Sequence, residues 1–204
     1  MKDFNLLADK ESIEIAIASL KNNGIDAYFF ETIEQAKSKV FEIIPKNANI
    51  MPMTSVTLEE TGIANEINSS GNYDSVRNKL NKLNRETDSK KMKEIACIPD
   101  WAIGSVHALT QDGKLVIASN TGSQLPGYVY GADNVIFVIG TQKIVNDLND
   151  AFERIYQYVL PKESERAKKA YGVSGSNVSK LLIINKEIIP NRIKVILINK
   201  ILGF

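Results

Sequence analysis

The sequence predicts an α/β fold: a mostly parallel sheet flanked by helices, with an added antiparallel hairpin. Three observations carry this expectation. Helix-period and strand-like segments alternate along the first half of the chain, as parallel βαβ wiring requires. The run VIFVIG, Val135 to Gly140, is continuously apolar, as in a strand covered on both faces. Asp112-Gly113 falls between two strand-like runs, where glycine accepts the positive φ of a tight hairpin turn.

The elements follow in order. From Asp9 to Asn23, Ile13, Ala16, Ile17 and Leu20 share one helical face, with Gly24 as the stop. This gives a helical N-terminal segment over about residues 1–24. IDAYFF then reads as a strand. Thr32 and Gln35 have capping-box spacing and open a second helix through Ala36, Val40 and Ile43, which Pro45 ends. NANIMPM is a further short strand. The polar run from Val76 to Ala96 repeats Val76, Leu80 and Leu83 at helical spacing and predicts one exposed amphipathic helix. WAIGSVHAL and KLVIAS are strands joined by the hairpin turn, which adds an antiparallel pair to the main sheet. A helix through Ile144, Leu148, Phe152 and Ile155 follows VIFVIG, and KLLIIN and RIKVILIN supply the last strands. Without repeats or a linker, residues 1–204 are expected to form a single α/β domain.

Composition narrows the function. Hydrophobic residues make up 44% and charged residues 24%, which suits a globular protein in water. The net charge of +1 gives no basic surface for nucleic acid. The cluster Lys90, Lys91, Lys93 is flanked by Asp88 and Glu94 and reads as a solvated helix face. One cysteine, Cys97, and one histidine, His107, cannot make an intrachain disulfide, an iron–sulfur cluster or a zinc site. No metal and no cofactor are expected. The N-terminus lacks the apolar core of a signal peptide. The apolar tail RIKVILINKILGF is interrupted by Lys194, Asn199 and Lys200 and is too short to span a bilayer. A cytoplasmic protein without a membrane span is expected.

Two stretches could carry chemistry. In MTSVTLEETGI, Met53 to Ile63, Thr57 and Glu60 have capping-box spacing, with Ser55 just upstream. A helix N-terminus there would offer unpaired N–H groups to an anion, and a plain cap fits the spacing as well. In IASNTGSQLPGY, Ile117 to Tyr128, Ser119, Thr121 and Ser123 offer hydroxyls, Asn120 and Gln124 amides, and Gly122 and Gly127 close backbone approach. The stretch follows a strand, where ligands collect in open α/β sheets, and it also fits an ordinary polar loop. It matches neither GxGxxG nor the phosphate loop. His107 reads as a core or sheet-edge residue, with a catalytic base as the other option. Lys143 follows VIFVIG at a helix start, from which it could reach an anion or solvent. Arg166 lies in a charged helix and is a surface residue unless the fold turns it inward.

The phrases MTSVTLEETGI, DGKLVIASNTGSQLPGY, GADNVIFVIGTQKIVNDLNDAFERI and NRIKVILINKILGF occur in one order. Together they resemble the LUD-domain family (lactate utilisation protein C-like), within the NagB/RpiA/CoA transferase-like superfamily, from about Asp9 to Phe204. The resemblance implies a Rossmann-like sheet with ligand loops at its end. It also implies one composite pocket from Ser55, Thr57, Ser119, Asn120, Thr121, Gly122 and Ser123, with Lys143 adding charge. The implied role is organic-acid (lactate) utilisation: a non-redox subunit binding a small anionic metabolite beside iron–sulfur partner proteins. The alternative is a stand-alone isomerase or acyl-transfer/hydrolase-type enzyme on a sugar phosphate or CoA ester. Its acid or base would be Glu59, Glu60, Asp133 or His107. The catalytic glutamate of CoA transferases has no counterpart between Ser119 and Pro126.

Overall fold

A computed structural model describes residues 2–204. Its centre is a six-stranded, all-parallel sheet in the order β1-β10-β7-β4-β2-β3. These strands are β1 (Asp26–Phe30), β2 (Asn49–Pro52), β3 (Asp74–Ser75), β4 (Trp101–Gly104), β7 (Asn134–Gly140) and β10 (Ile193–Ile198). A second sheet, in the order β8-β5-β6-β9, holds β5 (Ala108–Thr110), β6 (Leu115–Ser119), β8 (Ile144–Val145) and β9 (Lys180–Ile184). The β5–β6 hairpin turns at Gly113, with φ of 82°. It therefore belongs to a separate sheet rather than to the parallel one, which corrects its expected placement.

Strand alternation builds the layers. Val135, Phe137 and Ile139 of β7 face a core that includes Ile13, Ala16 and Leu20 of α1 (Lys10–Asn22) and Leu109, Leu115 and Ile117 of the second sheet. Ile136 and Val138 face the opposite core. It is formed with Ala36 and Val40 of α2 (Ile33–Ile43), Leu58 of α3 (Val56–Glu60), and Ile63 and Ile67 of α4 (Ile63–Ser69). The outer face of the second sheet, through Ala108, Val116 and Ala118, packs on Ala151 and Ile155. These belong to a continuous helical run: α7 (Leu148–Arg154), a π turn (Ile155–Val159) and α8 (Leu160–Tyr171). Gly172, at φ 68°, ends it.

Three expected elements differ. The run from Val76 splits into α5 (Val76–Leu80) and α6 (Ser89–Cys97). Between them the Asn84 and Asp88 side chains accept from the Glu86 and Asn84 backbone N–H groups, which favours turns over helix. WAIGSVHAL breaks after Gly104, so its two halves join different sheets. Ile144 pairs with Leu109 as a strand, and the helix starts later, capped by Asp147 accepting from the Asp150 N–H at 3.0 Å.

Candidate functional site

The carboxyl ends of the central strands determine where a cavity opens. After β2 the chain turns into α3 and α4 on one face, whereas after the neighbouring β4 it turns into the second sheet on the other. Adjacent exits to opposite faces leave a crevice at the strand ends, the usual ligand position in open α/β sheets. A cavity of about 420 Å³ lies there. Its wall takes Thr54 to Thr57 from beyond β2, Ser105 to His107 from beyond β4, Lys143 from beyond β7 and Phe204 from beyond β10. Ser119 to Thr121, Ser123 and Gln124 close one side after β6, and α8 contributes Glu163 and Arg166.

Lys143 is the chemical centre. It sits in a one-turn 3-10 segment, Thr141–Lys143, and is only 2% exposed. Its Nζ donates to Thr57 Oγ1 at 3.0 Å, Ser105 Oγ at 3.2 Å and the Val106 carbonyl at 3.2 Å. None of these partners is a carboxylate. Burial, reinforced by the nearby Arg154 charge and opposed by Glu60, pulls the amine down to about 7. Glu60 is exposed, and its Oε2 accepts from the Gly203 N–H at 2.7 Å.

A second cation stands behind the first. Arg154 is fully buried, pairs with no acid among the described residues, and donates through one Nη to the His107 carbonyl while its guanidinium lies over the Tyr158 ring. Its Nε and second Nη have no hydrogen-bond partner among the described residues. Its side chain is held below the usual guanidinium range by burial, at about 10. His107 Nδ1 accepts from the Ala118 N–H at 3.0 Å. Burial, then the charges of Lys143 and Arg154, push this imidazole down to about 3, so it is neutral.

The sequence-derived candidates fall into distinct roles. Ser55, rather than Thr57, caps α3, accepting from the Leu58 N–H at 3.4 Å. Thr57 is not a cap: it is 1% exposed, donates to the Leu202 carbonyl and receives Lys143. At five residues, α3 brings little dipole. In the polar loop, Ser119 Oγ accepts from the Gly122 N–H at 2.8 Å and donates to Gln124 Oε1 at 3.0 Å. Gly122, at φ 85°, shapes the turn and does not line the cavity. Thr121 and Ser123 bond each other at 3.1 Å and face the cavity from exposed positions. Asn120 lines it too and accepts from Ser179 Oγ through Oδ1. Arg166 reaches the cavity wall and holds Glu163 through two bonds, at 2.7 and 2.8 Å. Of the other acids, Glu59 lines the cavity and Asp133 is exposed away from it.

Sequence reasoning missed Ser105 and Tyr128. Ser105 was hidden inside an apparently continuous strand, and the Gly104-Ser105 pair of small residues in an apolar run is the signal of the break. Tyr128 is buried, packs on Phe137 with ring centroids 4.8 Å apart, and lies over Gly104. Arg192 fixes the backbone around it, donating to the carbonyls of Tyr128 at 3.1 Å and Ala132 at 3.0 Å. Among the described residues no group of three or more His, Cys, Asp and Glu could hold a metal ion. No helix among them is long and apolar enough to cross a membrane.

Comparison with known proteins places this architecture. A family model described as the LUD domain matches residues 13–198. The crystal structure of a DUF162 family protein from Deinococcus radiodurans superposes with a TM-score of 0.58 at 10% identity. It covers 95% of this chain and 100% of that one. At that identity the likeness is one of fold. No curated protein matches the chain.

Proposed function

Given that the chain belongs to the LUD-domain family, we propose that it serves organic-acid (lactate) utilisation by binding a small anionic metabolite in the strand-end cavity. One observation carries the proposal: Lys143 is buried at the cavity wall with hydroxyls and a carbonyl as partners and no acid to neutralise it. A lone buried ammonium is unfavourable, and a bound carboxylate or phosphate is the counter-charge that would restore it to full protonation. Arg154 adds positive potential from behind, where no carboxylate pairs with it. Ser55, Thr121 and Ser123, with Asn120 at the edge, offer hydrogen bonds to the rest of the ligand. Ser119 and Gly122 keep that loop in shape.

In this proposal the chain is a non-redox subunit. Its single cysteine cannot hold an iron–sulfur cluster, so electron transfer falls to partner proteins that carry such clusters. The test is thermal unfolding against lactate, pyruvate, sugar phosphates and CoA esters. A ligand at a hundred times its dissociation constant stabilises the fold by about 2.7 kcal/mol. Stabilisation by a hydroxy or keto acid that is lost in Lys143→Met and weakened in Ser55→Ala/Thr121→Ala is the expected result. Equal responses of all three proteins would refute the site.

A further inference from the structure

We propose that Ser105 and Lys143 form a nucleophile–base pair that removes an acyl group from an ester or thioester held in the cavity. This rests on the strand-end cavity being the ligand site proposed above, and adds a reaction to it. Ser105 is half-buried, lines the cavity, and holds its Oγ 3.2 Å from Lys143 Nζ.

The hydrogen bonds around Nζ leave one adjustable partner. The Val106 carbonyl can only accept. Thr57 Oγ1 donates its own proton to the Leu202 carbonyl at 3.2 Å, so towards Nζ it also accepts. A neutral amine has two protons for these two acceptors and a lone pair left over. Ser105 is the remaining neighbour, and its hydroxyl can point at that lone pair. An ammonium has a third proton, and Ser105 then accepts it. The Ser105 hydroxyl otherwise donates to the Val106 carbonyl over a long 3.5 Å, so turning it from that carbonyl to Nζ is the one change that lets a proton pass from Ser105 to Lys143, the geometry of an activated nucleophile.

The charged groups around the pair favour the neutral amine. Arg154 on α7 repels a proton on Lys143, Glu60 on α3 attracts one, and His107 beside β5 is neutral. With burial as the largest influence, the amine at about 7 is available as a base at neutral pH. Glu163 and Arg166, one turn apart on α8, pair with each other at the cavity wall.

The reaction balances within these groups plus water. As Ser105 Oγ adds to the acyl carbonyl carbon, its proton moves to Lys143 Nζ and the carbonyl π pair moves to oxygen. Collapse breaks the C–S or C–O bond, and the departing sulfur or oxygen takes the proton from Lys143. Water then adds to the acyl-serine while Lys143 removes its proton. Ser105 leaves as the alcohol, taking that proton back and releasing the free acid. Tyr128 is placed to donate to the transient oxyanion. Its hydroxyl lies where a Cβ on Gly104, the residue before Ser105, would be 1.8 Å away. Burial keeps it protonated, and Tyr128 lines the cavity.

The test uses a fluorophosphonate, which phosphorylates activated serines irrespective of substrate, with peptide mass spectrometry to locate the adduct. The adduct is expected on Ser105, absent in Ser105→Ala, and at least about 100-fold slower in Lys143→Met. In the unaltered protein its rate should rise with pH to a plateau above about 7. No adduct, an adduct elsewhere, or a rate flat between pH 6 and 9 would overturn the pair, even where Lys143→Met fails to fold. Pyruvate stabilisation measured on the same preparations separates the two proposals. Stabilisation without an adduct keeps the anion site and refutes the pair. An adduct without stabilisation by any anion keeps the pair and refutes the anion reading.

Discussion

Gly203 stands so close to Thr57 that a Cβ on it would come within 2.6 Å of Thr57 Oγ1 and 3.0 Å of the Thr57 backbone nitrogen. Its φ of 58° is in the left-handed region that glycine tolerates best. The segment after β10 is thereby pressed against the hydroxyl that supports Lys143. Gly203→Ala is expected to destabilise the fold by about 1–3 kcal/mol in denaturant unfolding. It should also weaken anion binding, because Thr57 cannot move without disturbing Lys143.

Lys143 makes stability depend on pH in a definite direction. Its amine titrates at about 7 in the folded protein and near 10.5 when unfolded. Between these values the unfolded chain binds a proton that the folded protein has released, so stability rises with pH across that window. The slope is at most about 1.4 kcal/mol per pH unit. Lys143→Met should lack this rise in urea titrations from pH 7 to pH 10.

Arg154 is expected to set the position of that window. Replacing it with methionine removes a buried charge that lowers the Lys143 value, together with two unpartnered donors. The midpoint of the rise should move to higher pH in Arg154→Met. An unchanged midpoint would show that burial alone depresses Lys143.

At acid pH His107 acts with the same sign. Its folded value of about 3 lies below the ordinary 6.5, so between them the unfolded chain takes up a proton that the folded imidazole refuses. Stability is lost as pH falls through this range. His107→Asn should flatten the pH 6.5-to-4 part of the stability profile, apart from the cost of any change at the Ala118 N–H.

The parallel core was legible because its signals are local. VIFVIG reads as a doubly covered strand and is one, and Thr32 with Gln35 forms the capping box that its spacing announced. The second sheet was hidden because WAIGSVHAL stays apolar through Gly104 and Ser105, where the backbone changes sheets. Thr57 shows the same limit: its spacing with Glu60 fits a cap, and only tertiary contact with Leu202 and Lys143 makes it a buried relay. Lys143 could be suspected from its place after β7. That it lacks a carboxylate partner depends on contacts made across 38 and 86 residues.

Gly104 tests how Tyr128 is held. Gly104→Ala would drive a methyl into the Tyr128 hydroxyl and should cost about 1–3 kcal/mol. Adding Tyr128→Phe should recover part of that loss, since the hydroxyl is the nearest clash. A double-mutant cycle without coupling would place Tyr128 elsewhere.

The claim that Lys143 is the anion receptor is tested most directly by calorimetric titration of pyruvate at pH 6 and at pH 8.5, in the unaltered protein and in Lys143→Met. Binding at pH 6 that weakens roughly tenfold per unit above pH 7, with proton uptake, and that vanishes in Lys143→Met, is the predicted result. Binding of equal strength at both pH values and in both proteins would contradict it.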